Sequence, residues 1–245
     1  VLIDDMEGTG NGPIKLKVTD TLPGSLPGYW FDGVSLTQAD GGIGAPNTLT
    51  PRPFTFTMLP MPHTTYSGTM STSGAHVACS IGDQYGFCQE AFEFAQIPAS
   101  DAGAASDAAD AAPIPRITQQ FDISQYKQVT FWTMAGASAG TQSLKVLFPD
   151  VNSDPRGGIC GVGDAGQCYD SWSYPVPGTM LTTSWSQVTI NLGTDLVAQN
   201  FGHEAAAYDP HHAYGIGFQV GGPNTADSGM IVRADYWIDD IYFVK

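Results

Sequence analysis

Charge is scarce in this chain. Charged residues make up 13% of its 245 positions, against roughly 25% in an average soluble protein. Positive charge is scarcest: nine Lys and Arg stand against 24 Asp and Glu, for a formal net charge of −15. A chain this acidic repels phosphate backbones and anionic headgroups, which argues against nucleic acid and anionic membrane surfaces as partners. Glutamate is confined to Glu7, Glu90, Glu93 and Glu204, so the acids are mostly Asp. No apolar run is long enough to span a bilayer, and no transmembrane segment is expected. The HExxH and P-loop patterns are missing as well, and neither a GxSxG nucleophile site nor a dinucleotide fingerprint is expected.

Cysteine is limited to four residues in two close pairs, Cys79 with Cys88 and Cys160 with Cys168. Neither pair has CxxC spacing, and no His stands beside them at zinc-finger distance. Two local disulfides are therefore expected rather than a zinc site. Disulfides belong to an oxidising compartment. With the acidic charge, they point to a secreted or cell-surface protein, extracellular or periplasmic. The chain begins at Val1 without Met or a signal peptide, which reads as the processed form of an exported protein.

Glycine (29) and proline (17) are abundant, and hydrophobic residues reach 42%, enough for a core. No stretch sustains helical periodicity. Strand-like runs recur instead at Ile14–Val18, Pro53–Leu59, Val77–Ser80, Ala91–Phe94, Thr118–Phe121, Gln128–Met134, Ser143–Phe148, Gln187–Leu192, Tyr214–Val220, Met230–Ala234 and Trp237–Val244. Gly/Pro/Asn turns separate them, the pattern of a sandwich or barrel. In Val129-Thr130-Phe131-Trp132-Thr133, Val129 and Phe131 share one face, assigned to core, which leaves Trp132 on the other. Residues 99–113 are Ala-rich and hold nothing large to bury, so they read as a surface insertion within a single domain covering 1–245.

Both ends carry acids within apolar strands: Leu2-Ile3-Asp4-Asp5-Met6-Glu7 and Tyr236-Trp237-Ile238-Asp239-Asp240-Ile241-Tyr242-Phe243. Alternation turns one of Asp239 and Asp240 toward protein, where a carboxylate is costly unless paired or metal-bound. Two such strands lying side by side would share a cation.

From Phe121-Asp122-Ile123-Ser124-Gln125-Tyr126 the motifs follow in order: Leu144–Phe148, Asp150–Cys160, Cys168-Tyr169-Asp170, Leu181–Ile190, Tyr214–Val220 and Trp237–Ile241. With Ile3–Glu7 in front, this series resembles carbohydrate-binding modules of the family 4, 11 and 30 type. The likeness covers about half the chain, mainly its C-terminal half. The 99–113 insert and the Pro-rich Thr48–His63 segment depart from it. The resemblance implies an all-β jelly roll, a sandwich of two antiparallel sheets with long loops. It also implies a structural calcium, with Glu7 and Asp240 the best-matched ligands and Asp5 and Asp239 weaker ones. Polysaccharide would bind on the concave sheet or at loop tips.

Sugar rings stack on aromatic faces. Tyr29, Trp30, Trp132, Tyr169, Trp172 and Tyr174 are the carbohydrate-binding candidates: Tyr29 and Trp30 follow a Pro/Gly loop, Tyr169, Trp172 and Tyr174 are assigned to a polar loop, and Trp132 to a strand; Trp185 and Trp237 are assigned to core. His203, beside Asn200 and Glu204, is a candidate hydroxyl reader. Asp150-x-Asn152-x-Asp154 has the first half of a calcium-loop pattern, but the later Glu is absent and Pro155 intervenes, which favours an Asx-rich turn. Adjacent His211 and His212 point apart on a turn and make a poor metal pair. Glycoside hydrolysis needs two facing carboxylates, and Glu90 and Glu93 share one short run.

Three functions follow in order of preference. The first is a non-catalytic, calcium-stabilised polysaccharide-binding module of β-glucan type. The second is a structural or adhesive subunit that self-associates in an extracellular assembly. The third is a polysaccharide hydrolase or lyase.

Overall fold

The computed structural model describes residues 2–4, 6, 28–34, 48–50, 56–65, 68, 70–82, 86–96, 117–118, 120–137, 139, 143–160, 168–200, 202, 207–222 and 231–245. Among these residues the regular elements are thirteen strands and three short 3₁₀ turns. The strands are β1 (Leu2–Asp4), β2 (Gly28–Val34), β3 (Thr48–Thr50), β4 (Phe56–Thr64), β5 (Met70–Ile81), β6 (Phe87–Gln96), β7 (Ile117–Thr118), β8 (Gln128–Ala135), β9 (Leu144–Phe148), β10 (Trp172–Pro175), β11 (Ser186–Asn191), β12 (Gly215–Gly221) and β13 (Val232–Val244). None of the described segments is a helix long and apolar enough to cross a membrane.

The strands form two antiparallel sheets. The first has the order β11-β8-β13-β5-β3, with β1 on β13 and β4 on β5; the second has the order β10-β9-β12-β6-β2, with β7 on β6. Period-two alternation decides what each sheet buries. Val129 and Phe131 of β8, Val77 of β5 and Ile238 of β13 meet Phe92 and Phe94 of β6, Phe218 of β12 and Val146 and Phe148 of β9 in one core. Phe131 contacts Phe218 edge-on between the sheets, ring centres 5.1 Å apart. Burying a side chain of this size contributes about 2–3 kcal/mol. The fold is the expected all-β sandwich.

Both expected disulfides are present. Cys79 lies on β5 and Cys88 on β6, so the first bridge ties one sheet to the other. The second, Cys160–Cys168, closes a loop between β9 and β10.

The terminal strands lie side by side: Leu2 is paired with Tyr242, and Asp4 with Ile241. Opposite β8, the register of β13 slips between Asp239 and Tyr242, three steps against two from Trp132 to Thr130. The extra residue is a bulge, and Asp240 sits in it at φ 48°.

Several strand boundaries differ from the sequence expectation. Val232–Ala234 and Trp237–Val244 merge into β13, because Asp235 faces the outside of the sheet and bonds His76 at 2.9 Å rather than breaking the strand. Tyr29 and Trp30 lie in β2; Trp172 and Tyr174 lie in β10, not in a loop. Pro53–Leu59 shifts forward to become β4. Ile14–Val18, the 99–113 insert, Asp5, Glu7 and His203 lie outside the described residues.

Candidate functional site

The sandwich has two outer faces of different character. On the first sheet, β4 pairs with β5 as Met58 opposite Ser73 and then His63 opposite Ser71, so residues 59–62 arch away from the ladder. The intervening Pro60 and Pro62 cannot donate to it. This strap crosses the face. Leu59 packs on Met134 and Trp237, with Trp185 alongside. His63 rests against Trp132 and Trp185, ring centres 5.1 and 4.4 Å away. Trp185 Nε1 donates to Met61 O at 2.6 Å. His76 stacks flat on Trp237 at 4.1 Å. The first face is a second small core under a strap.

At its margin three groups converge. His63 is 8% exposed, Asp239 0% and Asp240 2%. One ligand-type atom from each lies within 4.8 Å of the others. Ordinary alternation would separate adjacent acids, but the bulge re-aims one of them. His63 Nε2 lies 2.8 Å from Asp239 Oδ2, and Ser71 Oγ donates to that same oxygen at 2.5 Å. Burial pushes the Asp239 carboxyl above the usual carboxylate range, against the lowering pull of its bonds with His63 and Ser71. Serine, histidine and aspartate meet here without forming a nucleophilic triad. The hydroxyl is bonded to the carboxylate, whereas a triad needs it on the imidazole.

The terminal acids were expected to hold calcium. Calcium takes six to eight oxygen ligands. Of the expected ligands only Asp239 and Asp240 are among the described residues, where His63 joins them.

The second sheet presents ordered rows. Opposed outward positions run Gln89–Gln219–Lys145 across β6, β12 and β9, then Ala91–Gly217–Leu147, then Glu93–Gly215. In β2, Gly33, Phe31 and Tyr29 are in register with Gln89, Ala91 and Glu93, and Trp30 with Phe92. Gln219 Nε2 donates to Gln89 Oε1 at 3.2 Å, and Lys145 Nζ to Gln199 Oε1 at 3.4 Å. Gln199 in turn donates to Ser171 O at 3.0 Å. On the other side, Arg156 grips Glu93 with two bonds of 2.8 and 3.0 Å, bonds Asp154, and lies 5.0 Å over the Tyr214 ring. Burial alone would lower the Arg156 pKa; the bonds to Asp154 and Glu93 outweigh it and hold the cation firmly protonated. Small Ala91 and Gly217, buried with Leu147 in the same row, thus lie between rows of longer polar side chains, a strip called the trough below.

The sequence candidates divide as follows. Tyr169 is 66% exposed and stands beside Cys168, two residues from Ser171. Trp172 and Tyr174 pair with inward Phe148 and Val146, and Tyr174 packs on the core. Trp132 is half-buried beside His63 on the strapped face, away from the trough. Asp150 bonds the backbone N–H groups of Asn152, Ser153 and Asp209, while Asp154 caps a 3₁₀ turn at Pro155–Gly157, so that pattern is a bonded turn. His211 and His212 bond different acids, Asp122 and Asp209.

Sequence reading passed over three features. His63 carries no local motif. Its signal was the Pro-rich run whose strap brings it to Asp239. Gly136-Ala137-Ser138-Ala139-Gly140 matches GxSxG, but it follows an antiparallel strand, and β9 begins at Leu144, which leaves no helix for a nucleophile elbow. Gly161-Val162-Gly163-Asp164-Ala165-Gly166 matches GxGxxG inside the loop closed by Cys160–Cys168, without the strand-to-helix context a dinucleotide site requires.

No family model matches the chain, and no curated protein does. Among solved structures it is similar to a family 11 carbohydrate-binding module from Clostridium thermocellum in complex with a β-1,3-1,4-mixed-linked tetrasaccharide. That likeness has 14% identity and a TM-score of 0.48 over 99% of this chain and 94% of that one. It is also similar to the family 30 module of a cellulosomal cellulase of Clostridium thermocellum, at 12% identity and a TM-score of 0.43, over 100% of this chain and 96% of that one.

Proposed function

We propose that this protein is a non-catalytic polysaccharide-binding module of an exported system, with the trough on the second sheet as its sugar platform. The observation that carries this reading is the row order: a Gln–Gln–Lys wall, a floor of Ala91 and Gly217, and a Glu93–Arg156 wall. Sugar hydroxyls both donate and accept. Paired amides offer both functions, Lys and Arg offer donors, and Glu offers acceptors. An extended glycan lies in a shallow trough with its hydroxyls aimed at such walls. Exposed Tyr169 at the rim offers an aromatic face for a ring to rest on. A β-glucan, whose chain is extended, is the substrate class this platform suits.

Catalysis has no support on this face. Glycoside hydrolysis needs one carboxylic acid to give a proton and a second carboxylate opposite it. Here Glu93 and Asp154 both bond the same guanidinium. Retention on β-glucan affinity gels tests the reading: wild type is slowed, and Gly217→Leu, which fills the trough, migrates as in a gel without glycan. Equal retention of the two proteins would sink it.

A further inference from the structure

Beneath the strap of the first sheet, away from the sugar trough, His63, Asp239 and Asp240 bring their ligand-type atoms within 4.8 Å of one another, all three groups more than nine-tenths buried. We infer that they form a site for a divalent transition ion of the zinc class.

The hydrogen-bond network gives the first argument. His63 Nδ1 is 3.3 Å from the Thr64 carbonyl oxygen, which can only accept. In the tautomer that donates from Nδ1 to that carbonyl, Nε2 keeps a lone pair. Nε2 faces Asp239 Oδ2 at 2.8 Å. Two acceptors at that separation repel unless a proton or a cation lies with them. A backbone carbonyl on one ring nitrogen is also how ligating histidines are oriented toward a metal.

Charge gives the second argument. Two carboxylates and a neutral imidazole carry two negative charges, and a divalent ion makes the set neutral. A protonated His63 paired with Asp239 is the competing occupant of this place, and the metal titrations separate the two. The third argument is the donor type. Imidazole with carboxylates suits zinc and its neighbours, whereas calcium prefers oxygen alone. Ser71 completes the arrangement from outside, since its hydroxyl donates to Asp239 Oδ2 and holds that carboxylate in place.

The three groups come from distant parts of the chain. His63 ends the strap on β4, and the two acids lie in the bulge of β13. An ion there staples the strap to the terminal strand and fixes His63 against Trp132 and Trp185.

The test uses the full chain stripped with chelator and dialysed. Zinc chloride and calcium chloride are titrated separately by calorimetry and thermal melting, and cobalt chloride by visible absorption. Wild type is expected to bind equimolar zinc, to melt at higher temperature with zinc, and to give the intense ligand-field bands of nitrogen-ligated, low-coordinate cobalt. His63→Gln loses all three responses, while the double variant His211→Gln/His212→Gln, which removes the exposed histidine pair, keeps them. The cobalt spectrum of wild type reads the site even where His63→Gln folds poorly. Absence of the cobalt bands, zinc binding that survives His63→Gln, or stabilisation by calcium but not by zinc would each overturn the assignment. The sugar reading stands or falls separately, because none of these measurements involves glycan.

Discussion

Trp185 donates its indole N–H to the carbonyl oxygen of Met61 at 2.6 Å. The two residues belong to opposite margins of the first sheet, Trp185 just before β11 and Met61 on the arched part of β4. The bond closes the strap over Met134 and Trp237. Trp185→Phe keeps most of the ring and loses the donor, and is expected to lower stability by about 1 kcal/mol. Trp185→Ala also opens the small core and costs about 2–3 kcal/mol. Denaturant midpoints at constant slope measure both. Midpoints unchanged in both variants would mean that the strap is not anchored there.

Cys79–Cys88 is the covalent tie between the sheets. Replacing both cysteines with Ala removes a short closed loop and is expected to cost about 2–3 kcal/mol in urea unfolding. A smaller loss would mean that the core alone holds the sheets in register.

Gly217 separates stability from binding. The nearest atoms to a Cβ there would be Gln89 Cδ and Nε2 and Leu147 Cβ, at ordinary contact distances of 3.5 Å. Gly217→Ala is therefore expected to change stability by no more than about 0.5 kcal/mol. The larger Gly217→Leu keeps the folded spectrum and loses glycan retention. Loss of the fold in Gly217→Ala would contradict the trough as an open space.

Acid sensitivity has a local source at the end of β11. Asp195 accepts hydrogen bonds from the Asn191 backbone and side chain and from Thr194, which lower its pKa below 3.8. The folded-state value is the depressed one. Its stabilisation is therefore present above the unfolded pKa and is lost as pH falls through the folded one, in a window below about pH 4. Asp195→Asn is expected to lower the melting temperature slightly at neutral pH and to flatten its fall in that acid window. An unaltered acid slope would remove Asp195 from the account.

Much of the fold is legible in the chain because burial imposes a period. Val129 and Phe131 alternate into the core, and Tyr214–Val220 reads as the strand it becomes. The acids at both ends foreshadow terminal strands that do pair. Other features depend on partners far away in sequence. Trp172 and Tyr174 look like loop aromatics because their neighbours are polar, yet β9 recruits them as a strand. Trp132 and Trp237 alternate correctly but face a strap that only the β4 arch creates. A bulge is likewise invisible to alternation. Asp239 and Asp240 predict opposite faces, and the extra residue brings both to His63. The trough walls, Gln89, Gln219, Lys145 and the Glu93–Arg156 pair, carry no motif; strand register alone aligns them.

The most direct test of the central claim is affinity electrophoresis of the wild-type protein against soluble β-glucans, xylan and mannan, with pull-downs on insoluble β-glucan and chitin. The account predicts selective retention on β-glucan, with no release of reducing sugar during the run. Failure to bind any of these glycans would contradict it and move the weight to a self-associating structural role.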